Sequence, residues 1–136
     1  INADFLNIKG VDVVMNLNKF PWPFKENEFD YVLCSRILEY SEDIEKVMLE
    51  LFRIVKNGGF IEIISPYHKS DGAFKHKSFV TKDTPLACWN KENFEILKLN
   101  YTNFGKIRNL IPFKKLLSYF LWGIYDSVHM KIKIIK

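Results

Sequence analysis

Along the first half of the chain, short continuous apolar runs stand on either side of one clear helical stripe. Val11-Asp12-Val13-Val14-Met15, Phe29-Asp30-Tyr31-Val32-Leu33-Cys34 and Phe60-Ile61-Glu62-Ile63-Ile64 are mostly apolar and rich in β-branched residues, the pattern of strands buried on both faces. Between the second and third runs, Ile44, Val47, Met48, Leu51 and Val55 recur three or four apart, which predicts a helix with one core-facing stripe. Ser41 or Asp43 can cap its free backbone donors, and Arg53 and Lys56 stand near its negative end. Asn57-Gly58-Gly59 supplies residues tolerant of positive φ for the next turn. Strand, helix, turn and strand make a βαβ unit, and a right-handed crossover makes its two strands parallel.

The second half is read from the same periodicities. Asn93 to Thr102 alternates imperfectly and predicts a strand. In Met130 to Ile135, Met130, Ile132 and Ile134 share one side, and Lys131, Lys133 and Ile135 the other. This predicts an edge strand with its lysines toward water, paired with the 93–102 strand. Phe113, Leu116, Leu117, Phe120, Leu121 and Ile124 form a second helical stripe, expected to pack over the sheet. Its Tyr119 and Trp122 beside lysines also suit a dimer contact or a membrane surface. Pro21-Trp22-Pro23-Phe24 cannot lie inside a central strand and is expected as a rigid aromatic loop. Residues 67–91 are a long polar stretch leaving the carboxyl end of a strand, where ligands usually bind.

Composition narrows the class of molecule. With 136 residues, 48% of them hydrophobic and 15% aromatic, the chain suits one domain, spanning 1–136, and excludes a disordered tail. The formal charge of +4 is unevenly placed, with seven Lys/Arg against eleven Asp/Glu in residues 1–68 and thirteen against five in 69–136. A basic second half can steer an anionic ligand without identifying nucleic acid, which stays open as a partner. No stretch has the 18 continuous apolar residues of a membrane span and no charged start leads into a secretory core, so a cytoplasmic location is the default. Cys34 and Cys88 are too few for a disulfide framework. His68, His76 and Asp71 fit no tight ligand motif, so no metal is expected. A phosphate-cradling lysine loop is missing too.

A set of short motifs carries more than any of them does alone. Val11 to Asn18, then Phe20-Pro21-Trp22-Pro23-Phe24, then Asn27-Glu28-Phe29-Asp30-Tyr31-Val32 resemble the middle of class I S-adenosylmethionine-dependent methyltransferases. Ile37-Leu38-Glu39-Tyr40 followed by Asp43, then Arg53 to Gly59, then Phe60 to Pro66 resemble the same family's later motifs in the same order. Residues 11–66 carry the specific match, and 67–128 correspond to the family's variable substrate region. The resemblance implies an α/β, Rossmann-like sheet of seven mostly parallel strands with one antiparallel strand, binding the cofactor across strand carboxyl ends. Two departures stand out: the family's glycine-rich cofactor loop and the acid that ends its second strand are not found. Ile1-Asn2 resembles the stretch just after that acid, so the sheet is expected to be truncated at its N-terminus, with an inner strand missing between 11–15 and 30–34.

For chemistry, the resemblance implies methyl transfer from S-adenosylmethionine to a small-molecule or glycan acceptor. The alternative is a non-catalytic binding or scaffolding relative. Asn16 matches a position contacting the adenine edge, where a carboxamide can both accept and donate, and Leu17 would cover an adenine face. Cys34, Ser35 and Arg36 come directly after the core of the next strand, where the family lines the methionine portion, and Leu38 could flank the same pocket. His68 and His76 are the candidate general bases for an acceptor that must lose a proton. Tyr67, Lys75, Lys77 and Trp89 are candidates to shape the acceptor pocket.

Overall fold

The structure, a computed structural model, describes residues 1–67, 76–102, 113 and 125–136. Among these residues, six strands form two groups. β1 (Ala3–Asp4) and β2 (Val13–Val14) pair in parallel. β3 (Phe29–Ser35), β4 (Val55–Pro66), β5 (Phe94–Thr102) and β6 (Ser127–Ile134) form a sheet in the order β3-β4-β6-β5. β3 and β4 are parallel, and β6 runs antiparallel to both of its neighbours. One antiparallel strand in an otherwise parallel four-stranded sheet is the arrangement the motif order implied.

Helix α1 (Ile44–Ile54) makes the crossover between β3 and β4. Asp43 caps it, with Oδ1 accepting from the Lys46 N–H at 3.1 Å, so of the two sequence candidates the aspartate performs the role. Its stripe of Val47, Met48, Leu51 and Ile54 is buried against Ile61, Ile63, Met130, Ile132 and Ile134, which removes the apolar faces of helix and sheet from water together. The connection to β4 depends on two glycines. Gly58 has φ +78°, and a Cβ on Gly59 would stand 3.0 Å from the carbonyl oxygens of Asp30 and Lys56 and 2.8 Å from Val55 Cγ1. The second glycine lets the backbones of β3 and β4 approach.

The edge-strand expectation for the last segment is corrected. β6 is internal, hydrogen-bonded to β4 on one side and β5 on the other. Its lysines mislead because one face of the sheet is only half-covered by described residues. Lys131 and Lys133 point there, beside Glu62 and Glu95, while Met130, Ile132 and Ile134 are fully buried. Alternation reports a half-wet face, which an inner antiparallel strand can have as readily as an edge one. The pairing with the 94–102 strand is as expected. On the same half-wet face, Tyr31 Oη donates to Glu62 Oε2 at 2.7 Å and His129 Nε2 meets Glu62 Oε1, joining three adjacent strands. The short helix α2 (Thr84–Cys88) comes after β4 in the chain and has proline in its first turn. The helical stripe expected at 113–124 lies outside the described residues apart from Phe113.

Candidate functional site at the strand carboxyl ends

β1 ends on Asp4, a carboxylate at the carboxyl end of a strand parallel to and beside β2. The resemblance places the ribose-holding acid ahead of Ile1 and starts the matching strands at β2, so a strand ending on Asp4 departs from that expectation; at two residues it also has no period to detect in the sequence. Asp4 Oδ1 accepts from the Leu6 N–H at 2.9 Å, which turns the chain sharply and brings Phe5 over the end of β2. There a cleft of about 420 Å³ is lined by Phe5, Val14, Met15, Asn16, Lys19, Pro21 and Pro23. It is mostly apolar with one carboxamide and one ammonium at its wall, a lining suited to a flat heteroaromatic ring.

Asn16 is thus where the sequence places it. Its Oδ1 accepts from the Asn18 N–H at 2.9 Å, a local turn that leaves the amide NH₂ as the available donor. Leu17 does not line the cleft. It packs against the core, and its carbonyl accepts from Trp22 Nε1 at 3.1 Å. Asn18 ties this strand end to the next: its Nδ2 donates to the Tyr40 carbonyl at 3.4 Å, and its Oδ1 accepts from the Glu42 N–H at 2.9 Å. These two bonds tie the loop after β2 to the turn after β3.

The proline wall is clamped from α1. Arg53 donates from Nε and Nη2 to the two carboxylate oxygens of Glu50 at 2.8 and 2.7 Å, and from Nη1 and Nη2 to the Phe24 and Trp22 carbonyls at 2.8 and 3.2 Å. Glu50 Oε2 also accepts from the Trp22 N–H at 2.8 Å. The Arg53 guanidinium holds the Glu50 carboxyl below the usual carboxylate range.

After β3 the candidates separate. Ser35 is exposed and open to the strand ends. Arg36 adopts φ +52°, its N–H donates to the Ile64 carbonyl at 2.7 Å, and its Nη2 donates to Ser127 Oγ at 2.9 Å. Its guanidinium thus reaches across to β6. Cys34 is buried, and burial pushes its thiol up to about 12, so its side chain is inert core. Leu38 is buried in the same core. At both positions only the backbone is offered to a ligand.

His76 lies beside the turn Leu38–Tyr40, edge-on to the rings of Tyr40 and Phe79 at 6.1 and 6.4 Å between centroids. His68 and Lys75 lie outside the described residues. Lys77 pairs with Glu42 at 2.7 Å on the surface. Trp89 belongs to the core, with Nε1 donating to the Met48 carbonyl at 3.1 Å, and Tyr67 packs edge-on to Tyr101 and Tyr125. Sequence reasoning missed three residues here: Asp4, Phe5 and the buried Glu39. The first two sit on or beside an element too short to read, and an isolated acid in a three-residue turn carries no polarity signal of burial. Among the described residues no group of three or more His, Cys, Asp and Glu could hold a metal ion.

Comparison with known proteins agrees with this architecture. Residues 4–63 match the family model for a methyltransferase domain. An uncharacterised protein of Methanocaldococcus jannaschii is 44% identical over 41 residues, covering 30% of this chain and 20% of the relative. Among solved structures, a proposed S-adenosylmethionine-dependent methyltransferase from Listeria monocytogenes superimposes with a TM-score of 0.61 at 11% identity, over 90% of this chain and 68% of that one. An S-adenosylmethionine-dependent methyltransferase from Mesorhizobium loti gives 0.59 at 12%, over 88% and 67%. The cyclase SpnF gives 0.57 at 14%, over 85% and 53%. The chain therefore spans about half the length of SpnF and one fifth of its curated relative. Residues 4–63 thus carry the pattern of a methyltransferase domain, and the sheet has the Rossmann-like fold of these solved structures.

Proposed function

We propose that the protein binds S-adenosylmethionine across the carboxyl ends of β1, β2 and β3 and transfers its methyl group to a small-molecule or glycan acceptor. The observation that carries this reading is the nucleoside-sized cleft lined by Phe5 and Asn16, beside a strand ending in Asp4. Asp4 would accept from the ribose hydroxyls, and the Asn16 amide would meet the adenine edge. Phe5, Met15 and the two prolines would enclose the ring, and the backbone at Ser35 would face the methionine portion. When bound, the group supplies an electrophilic methyl carbon on a sulfonium, already attached to a good leaving group. The chain's contribution is then positioning and the exclusion of water.

Calorimetry with S-adenosylhomocysteine tests this. Asn16→Leu should weaken binding about tenfold through loss of one charge-neutral hydrogen-bonding group, and Asp4→Asn should weaken it at least as much. Unchanged affinity in both would reject the assignment.

A further inference from the structure

The cleft at the ends of β1 and β2 has two polar side chains in its lining, Asn16 and Lys19, the rest being apolar residues and two prolines. Both come from one tight turn, in which the Lys19 N–H donates to the Asn16 carbonyl at 3.1 Å. The same turn fixes which way the Asn16 amide faces. Its Oδ1 accepts from the Asn18 N–H at 2.9 Å, and since a main-chain N–H can only be met by the oxygen, the NH₂ end is the one left over. Among the described residues neither Asn16 Nδ2 nor Lys19 Nζ has a hydrogen-bond or ion-pair partner.

The nearby acceptors are already used. The Asn16 carbonyl takes the Lys19 N–H, and the Leu17 carbonyl takes Trp22 Nε1 at 3.1 Å. Pro21 and Pro23 have no N–H to offer. The side chains of this wall therefore present two hydrogen-bond donors, an amide and an ammonium, and no free acceptor, so a ring bound here is read at its lone pairs. Adenine presents its exocyclic amino group between N1 and N7, so two adjacent positions on that side of the ring are always one donor and one acceptor. A 6-oxopurine presents O6 beside N7, which are two adjacent acceptors.

We propose that Asn16 and Lys19 make the cleft blind to the amino group of adenine and able to take a 6-oxopurine nucleoside in its place, so that an inosine-type thioether or sulfonium is a ligand of this site. This deepens the cofactor reading and rests on it. With the oxo ring, the amide NH₂ and the ammonium meet O6 and N7 together. With adenine, one donor finds a ring nitrogen and the other faces the amino group, whose hydrogens are left to water. Lys19 is exposed, so its hydrogen bond competes with water and contributes less than that of the half-buried amide. Both side chains set ring specificity and take no part in the transfer of the methyl group.

The test compares S-adenosylhomocysteine with S-inosylhomocysteine by calorimetry on the wild-type protein, Asn16→Asp and Lys19→Met. The wild-type protein should bind the inosine ligand within about fivefold of the adenosine one, or more tightly. Asn16→Asp keeps an oxygen for the Asn18 N–H and puts a second one where the NH₂ stood, so it should shift the ratio of affinities toward the adenosine ligand by about tenfold or more. Lys19→Met should shift it the same way by about threefold. If the wild-type protein binds S-adenosylhomocysteine but the inosine ligand more than about fivefold more weakly, this inference is overturned and the cofactor reading stands. Similar affinities that neither substitution shifts overturn it equally, because the ring edge then touches neither side chain. If the wild-type protein binds neither ligand, the cofactor reading falls and takes this inference with it. Should Asn16→Asp fail to fold, the wild-type ratio and Lys19→Met, at its exposed position, decide the matter.

Discussion

Replacing Arg53 by methionine removes the guanidinium that ties the Pro-Trp-Pro wall of the cleft to α1, while keeping most of the stem's volume. Four hydrogen bonds of 2.7 to 3.2 Å are lost, two to Glu50 and one each to the Trp22 and Phe24 carbonyls. The Arg53 and Glu50 side chains are 24% and 13% exposed, so water screens the pair only in part. Hydrogen bonds to charged groups contribute about 1.5–3 kcal/mol each when measured singly, but bonds sharing one group do not add. A loss of roughly 2–3 kcal/mol at neutral pH is expected, which for a chain of this size lowers Tm by about 10 °C. Glu50 would keep only the Trp22 N–H. The pH dependence separates a charge-based clamp from a packing effect. Because the folded-state Glu50 carboxyl is held low by Arg53, the stabilisation is present above the ordinary carboxylate range and lost as pH falls through the folded value. Wild-type and variant stabilities from urea unfolding should therefore draw closer in acid, the remaining difference coming from the Arg53 bonds to the Trp22 and Phe24 carbonyls, which do not titrate. A difference below about 0.5 kcal/mol at pH 7, or one that is the same at pH 7 and in acid, would rule out the clamp.

Other consequences come from particular contacts. Gly59→Ala should destabilise the chain by about 1–3 kcal/mol in urea unfolding, since the new methyl meets backbone oxygens of two strands. Gly58→Ala should destabilise it through the strain of its positive φ alone, because the space around that position is open. Glu62→Gln should cost about 1–2 kcal/mol at pH 7 and little in acid. The Glu62 carboxyl is held low first by the Tyr31 hydroxyl and then by His129, so its contribution is lost as pH falls through the folded value. Unfolding curves of the variant and wild type that stay equally far apart at both pH values would contradict this.

The βαβ unit was legible because its signals reinforce one another: a 3.6-residue stripe, an acidic cap, a glycine pair and two β-branched runs. The strand at 94–102 and its pairing with the last segment were legible for the same reason. What failed was order within the sheet. The lysines of β6 encode which face is wet, and nothing in a strand's own alternation says how many neighbours it has. The site divided similarly. Asn16 was readable because the adjoining motif fixes the end of β2. Cys34 and Leu38 have their side chains in the core, which a position at or just after the end of a strand does not reveal in the sequence. Glu39 was hidden, since its burial arises from the segment at 76–80 closing over the turn, a contact between residues almost 40 apart.

If the cofactor sits on the carboxyl ends of β1, β2 and β3, amide chemical shifts recorded by NMR during an S-adenosylhomocysteine titration will show it. Saturable shifts should concentrate at Asp4, Phe5, Asn16 and Ser35, with the amides of β5 and β6 unmoved away from the strand ends. No saturable shift up to about 1 mM ligand, where binding would be worth only about 4 kcal/mol, or shifts confined to the half-wet face around Glu62 and His129, would contradict that placement.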